Sequence, residues 1–437
     1  MRSRRGAASA IGSANYRGRT RRVHGPEGLS SANSRPISVN RTAIIVAAAF
    51  VALVSAGPAA GSLRGKLDRA LSTPGVSSSR TGAVVYDLER SRFAYRHNAG
   101  LALEPASNAK LPVAVTALSV LGPGFRFTTK LHAEGSLKAG GVWKGRLVLE
   151  GLGDPSLSGA KLGKLAHDVA RAGITKVTGA LVADETYFDK VRVGPGWKSS
   201  FYKLECPPLS ALIANRGYYR GHVTSKPALA AAKLLRAKLE GRGVDVRGRI
   251  KRGRADPDPD LVWSVRSGAL KWLVRRMNRQ SDNFYAEMLV KELGARAGRG
   301  GTTADGVRIV RKELRHRGVS LDGVVLADGS GLSAYDRLTA RAATLLLISA
   351  MSDARIGSPF VGSLPLAGVN GTLVDRMESP PAYRHVRAKT GTTDSASALS
   401  GYAGSRFVFS ILMNGSPIAW LSARRAQDRF AQVLAGR

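Results

Sequence analysis

Strand-like runs stand at both ends of this chain, and sequence of a different character stands between them. Ala83-Val84-Val85-Tyr86-Asp87 and Phe93-Ala94-Tyr95 read as two strands joined by the charged turn 88–92. Residues 385–389, 398–403 and 406–414 read as strands near the other end. Helical periodicity accompanies both groups, at 62–73, 111–121, 302–317, 339–351 and 419–435, and at 267–296 with a break near 279–283. The block 125–262 differs: short alternating runs separated by turns, one clear helix at 226–243, and the Asp/Pro-rich boundary 253–260. The expectation is an α+β fold, with a main domain formed by 62–124 and 263–437 and interrupted by inserted material at 125–262.

At 437 residues the chain has room for two or three units of ordinary size. Its formal charge is +36. Residues 1–60 hold nine Arg and one Glu, which leaves +28 on the remainder. Such a field favours polyanions. Zinc-finger spacing, the RRM aromatic signature and arginine–glycine repeats are missing from the sequence, so nucleic acid is not the expected partner. An anionic wall polymer or membrane surface suits the charge, and a solvated basic surface weighs equally. Cys206 is the single cysteine, which rules out an internal disulfide; burial suits it better than reactivity.

Residues 1–61 read as a basic segment ending in a signal peptide or anchor. The apolar run 43–56 has 14 residues, short for a span and suited to a signal-peptide core. Small residues follow, with cleavage expected after Ala56 or Ala60. The expected location is therefore extracytoplasmic, secreted or held at the cell envelope.

Three short motifs carry chemistry. Ser107-Asn108-Ala109-Lys110 follows a Glu104-Pro105 turn and directly precedes an apolar helix. Serine and lysine three apart share a helical face, burial favours the neutral amine, and a neutral amine can take the serine proton. The same S-x-x-K spacing at Ser158 and Ser200 lacks this context, and a capping serine with a surface lysine is the better reading there. Ser281-Asp282-Asn283 falls at the break between helical stretches. It places a hydroxyl to relay a proton to a leaving amine, and an amide to hold Lys110 and a substrate carbonyl. An ordinary helix cap at Ser281 is the competing account. Lys389-Thr390-Gly391-Thr392 ends a strand-like run. Gly391 admits a second backbone, a peptide can pair with the strand, and Lys389, Thr390 and Thr392 offer charge and hydroxyls to a terminal carboxylate.

Together with residues 151–157, 179–189, 207–217, 328–333, 365–373 and 388–402, these motifs make the sequence resemble the class C low-molecular-mass penicillin-binding proteins, the D-alanyl-D-alanine carboxypeptidase/endopeptidase family S13. The resemblance spans about 62–435. It implies a penicillin-recognising domain, an antiparallel sheet with helical layers, holding two nested inserts between Ser107 and Ser281. It implies Ser107 as nucleophile, Lys110 as base, Ser281 as proton relay, and an oxyanion hole from the Ser107 and Thr392 amides. Substrates would be peptidoglycan stem peptides or cross-links, with β-lactam antibiotics as covalent inhibitors and neither cofactor nor metal. The loop 328–333 reads as structural. A class A β-lactamase shares the motifs, but there the second follows the first far more closely than the 174 residues found here (281 − 107). A non-catalytic wall-binding or β-lactam-sensing module is the alternative from another class.

Overall fold

The computed structural model describes residues 61–298 and 300–437. The basic segment and apolar run, with the expected signal or anchor, lie outside the described residues. The main domain is built from helices α1 (Leu63–Leu71), α2 (Lys110–Leu121), α3 (Leu270–Arg279), α4 (Asn283–Arg296), α5 (Thr303–His316), α6 (Ala340–Met351), α7 (Gly357–Ser363) and α8 (Trp420–Ala435), and from strands β1 (Thr81–Asp87), β2 (Arg92–His97), β3 (Val386–Thr392), β4 (Ala396–Ala403) and β5 (Phe407–Asn414). The strands form one antiparallel sheet in the order β3-β4-β5-β1-β2.

Alternation along β5 shows how the sheet divides two cores. Phe407, Phe409, Ile411 and Met413 face α1 and α8, while Val408 and Leu412 face the layer that holds α2, α4 and α6. Helix α2 lies within that second core and buries every residue from Lys110 to Leu118. Its Pro112 sits in the first turn, where a missing N–H costs nothing, and Gly122 closes the helix at φ 84°.

The outer edge of β3 is half covered. Ala367 N donates to Val386 O (2.9 Å) and Ala388 N to Pro365 O (3.1 Å), and this pairing stops at Ala388. Beyond it lie Lys389 to Thr392, the stretch expected to receive a substrate backbone.

The inserted block is carried by a mixed sheet. Thr128–Lys138 and Val142–Gly151 form a hairpin, Leu181–Asp184 runs parallel to the second of these, and Ile250–Arg252 runs parallel to Leu181–Asp184. Helices Gly159–Arg171 and Pro227–Glu240 cover it, burying Leu162, Leu165, Val169 and Leu235. The boundary at 262 moves: strand Leu261–Arg266 pairs with Thr128–Ala133, so the insert closes at Arg266. The Asp/Pro-rich stretch is a loop leading into this last strand. Entry and exit are tied together, with Ser267 N donating to Phe127 O (2.9 Å) and Leu270 N to Phe125 O (2.7 Å). The middle block is also not wholly separate. Phe188, Cys206, Leu209, Ala211 and Ile213 join the main core, Cys206 fully buried there.

Candidate active site

Ser107 lies in a short 3-10 turn, Ala106–Ala109, that feeds directly into α2. Ala106 takes φ 46° in this turn. Two glycines let other backbone press against it. A Cβ on Gly331 would stand 1.9 Å from Ala106 O, and one on Gly391 would stand 2.8 Å from Pro105 O and 3.0 Å from Ser107 N. The nucleophile turn is thus clamped between the loop 328–333 and strand β3.

Lys110 is the first residue of α2 and has no exposed surface. Its Nζ donates to Ser107 Oγ (2.9 Å), Asn283 Oδ1 (2.8 Å) and the Ser330 carbonyl (2.5 Å). Burial pulls the amine down to about 8, against the attraction of Asp328, Glu287 and Asp282. A substantial share of it is therefore neutral near physiological pH and able to accept a proton from Ser107.

Ser281 joins α3 to α4 at φ 54°, a left-handed conformation that a non-glycine residue adopts at a cost. The helix cap is its neighbour: Asp282 Oδ1 accepts from Tyr285 N (3.2 Å). Ser281 is left to point elsewhere, and Lys389 Nζ donates to its Oγ at 2.9 Å. Asn283 starts α4, accepting from Lys110 and donating through Nδ2 to Glu205 O (3.1 Å).

Lys389 departs from the expected role. It has no exposed surface, and its Nζ is taken up by Ser281 Oγ and by Thr390 O at 2.8 Å. Burial, reinforced by the charge of Lys110, holds the amine well below the usual lysine range. Thr390 Oγ1 donates to Thr372 Oγ1 (2.6 Å), and Thr392 stands exposed at the end of β3. Past Thr392 the surface opens into a cleft of about 660 Å³ whose walls include Phe201, Glu205, Leu332, Asp394 and Trp420.

All eight predicted site residues thus converge on one place; of the two other S-x-x-K serines, Ser200 precedes the short helix Phe201–Leu204 and makes no side-chain cap bond, against the capping role expected of it. Ser158 Oγ caps its helix by accepting from Lys161 N (3.3 Å). Sequence reasoning missed three supports. The loop 328–333 is more than structural, because Ser330 O contacts the Lys110 amine. Arg216 from the insert pairs with Asp282, and Trp197 Nε1 donates to Asp328 Oδ2 (2.7 Å). Ser330 and Arg216 lie in segments that the family resemblance had marked and Trp197 does not; a backbone carbonyl and contacts this distant in sequence leave no signal in local side-chain patterns. Among the described residues no group of three or more His, Cys, Asp or Glu converges for a metal, and no helix is long and apolar enough to cross a membrane.

Comparison with known proteins gives matches in both sequence and fold. Residues 63–227 and 223–436 match the model of the D-Ala-D-Ala carboxypeptidase 3 (S13) family. The D-alanyl-D-alanine carboxypeptidase of Actinomadura sp. (strain R39) is 30% identical over 461 residues, covering 85% of this chain and 84% of that protein. The crystal structure of penicillin binding protein 4 from Haemophilus influenzae superposes with a TM-score of 0.74 at 21% identity, covering 85% of this chain and 97% of that one. A second structure of that protein, complexed with a novel β-lactam, gives a TM-score of 0.68 at 21% identity, with 85% and 97% covered.

Proposed function

The chain belongs to the D-Ala-D-Ala carboxypeptidase 3 (S13) family, and from that premise we propose that it hydrolyses peptidoglycan stem peptides, or the cross-links between them, through an acyl-enzyme on Ser107. The observation that carries the reading is the buried Lys110 amine 2.9 Å from the Ser107 hydroxyl. As Ser107 Oγ bonds to the penultimate D-alanine carbonyl carbon, its proton passes to Lys110 Nζ. The carbonyl oxygen becomes an oxyanion, and the close approach of Gly391 to the Ser107 turn favours a shared hole between the Ser107 and Thr392 amides. The C–N bond then breaks, and the leaving amine takes, by relay through Ser281, the proton that Lys110 gained from Ser107, which leaves Lys110 neutral; Lys389 orients Ser281. Water gives a proton to Lys110 as its oxygen bonds to the ester carbon, the bond to Ser107 Oγ breaks to release the shortened peptide, and Lys110 returns that proton to Ser107 Oγ.

The leaving amine belongs either to a terminal D-alanine or to a cross-bridge, and the chemistry at Ser107 is the same for both. A β-lactam presents a comparable acyl carbon, and the Haemophilus protein holds one in its complex; the reading extends covalent inhibition by penicillin to this chain. Such substrates place the protein outside the cytoplasmic membrane, in keeping with the apolar run at 43–56. The +28 carried past residue 60 suits an anionic wall polymer or membrane surface as an additional partner. The test is release of free D-alanine from a pentapeptide ending in D-Ala-D-Ala. Release by the parent and none by Lys110→Ala supports the reading. A parent that binds the peptide without releasing D-alanine contradicts it and favours a wall-binding module.

A further inference from the structure

Helix α4 reaches the Lys110 amine twice. Asn283, its first residue, does so directly through Oδ1 at 2.8 Å. Glu287, four residues on and so on the same face, does so through the loop 328–333. Its Oε1 accepts from Gly329 N (3.0 Å) and Ser330 N (2.8 Å), and the carbonyl of Ser330 then accepts from Lys110. Asp328 grips the same loop from within: Oδ1 accepts from Ser330 N (3.1 Å) and Gly331 N (2.8 Å), and Oδ2 from Ser333 N (2.9 Å). Gly331 is the residue that packs on Ala106 O beside Ser107. One short loop thus touches the base through Ser330 and the nucleophile turn through Gly331.

We propose that Glu287 is a positioning residue of the reaction: its Oε1 grips the Gly329 and Ser330 amides and so holds the Ser330 carbonyl on the Lys110 amine. This rests on the reading of Ser107 and Lys110 given above. Glu287 is fully buried, and burial with the charge of Asp328 raises its carboxyl to about 8, so near neutral pH it is largely protonated. Its Oε1 accepts from both amides in either form, so the grip on the Ser330 carbonyl is geometric and does not rest on charge.

Lys110 is faced by Asp328, Glu287, Asp282 and the Cys206 thiol, and Lys389 opposes it from β3. Asp282 is already paired with Arg216 and Arg276, and Asp336 lies against Asp328.

The test is single-turnover acylation by penicillin between pH 5 and 10, for the parent, Glu287→Gln and Glu287→Ala, with thermal melts of each. Gln keeps an acceptor for both amides, and its acylation profile is expected to follow the parent's within about threefold. Ala releases the loop, and the acylation rate is expected to fall about 10²-fold with non-covalent affinity for penicillin unchanged. Should Ala fail to fold, Glu287→Asp, one methylene shorter and unable to reach both amides, takes its place with the same expected loss. A folded Ala or Asp variant that acylates at the parent's rate, or a Gln variant as slow as Ala, overturns the positioning role. A parent that is never acylated defeats the functional reading instead, so the two failures are distinct.

Discussion

The Lys110 amine stands 2.9 Å from the Ser107 hydroxyl and has no exposed surface. Burial lowers it from 10.5 to about 8, and only its neutral form can accept the serine proton. Acylation by penicillin is therefore expected to rise about tenfold per pH unit up to about 8 and to level off above it. Lys110→Met is expected to slow acylation by about 10²–10⁴ at every pH. Stopped-flow acylation across pH 5–10 checks both. A rate that is flat from pH 6 to 9 would contradict the assignment of the base.

Ser281 answers to Lys389 rather than to Lys110, across a 2.9 Å contact. The proposed role of Ser281 is confined to protonating the leaving amine, so Ser281→Ala should leave Ser107 able to attack. The expected result is an adduct that still forms on Ser107, about 10²–10⁴ more slowly. Time-resolved intact mass of the variant measures this directly. Complete loss of the adduct in a folded variant would place Ser281 in the attack itself.

Gly391 tests the clamp on the nucleophile turn. A methyl group there would meet Pro105 O at 2.8 Å and Ser107 N at 3.0 Å, backbone atoms that cannot swing aside. Gly391→Ala is expected to push β3 away from Ser107 and to cost about 10² in acylation rate. The sheet pairing Gly391↔Ala398 places no demand on the missing side chain, so the melting temperature should change little by comparison. Acylation at the parent's rate would show that this contact is not needed.

Asp189, from the inserted block, pairs with Lys291 of α4, whose ammonium has no exposed surface. Removing one member of such a pair strands the other. Asp189→Ala is expected to lose about 3–5 kcal/mol of stability in urea unfolding. The acid limb of acylation should stay where it is, because Lys291 does not touch the catalytic groups. A stability loss below about 1 kcal/mol would mean that the ammonium finds another partner.

How much of this was legible in the sequence follows from what kind of atom does the work. The pairing of Ser107 with Lys110 is local, three residues apart on a helical face, and its context separated it from the S-x-x-K copies at Ser158 and Ser200. The break at 279–283 marked the turn that presents Ser281, although its cap proved to be Asp282. Strands β1, β4 and β5 declared themselves as short apolar runs, and they are buried on both faces. What stayed hidden is long-range or made of backbone: the Ser330 carbonyl, reached 220 residues along the chain from Lys110, and the Glu205 carbonyl on Asn283. The burial of Lys389 was hidden too, because a lysine on a strand looks the same in sequence whether its amine meets substrate or a serine. The insert boundary slipped to Arg266 because a polar loop and the end of a domain have the same composition.

The central claim is that Ser107 is the acylated residue, and intact-protein mass after mixing with penicillin tests it most directly. The account predicts a stable one-to-one adduct on the parent, located by peptide mapping at Ser107, and none on Ser107→Ala. An adduct that persists on Ser107→Ala, or a parent that gains no mass while the penicillin stays intact, would contradict it.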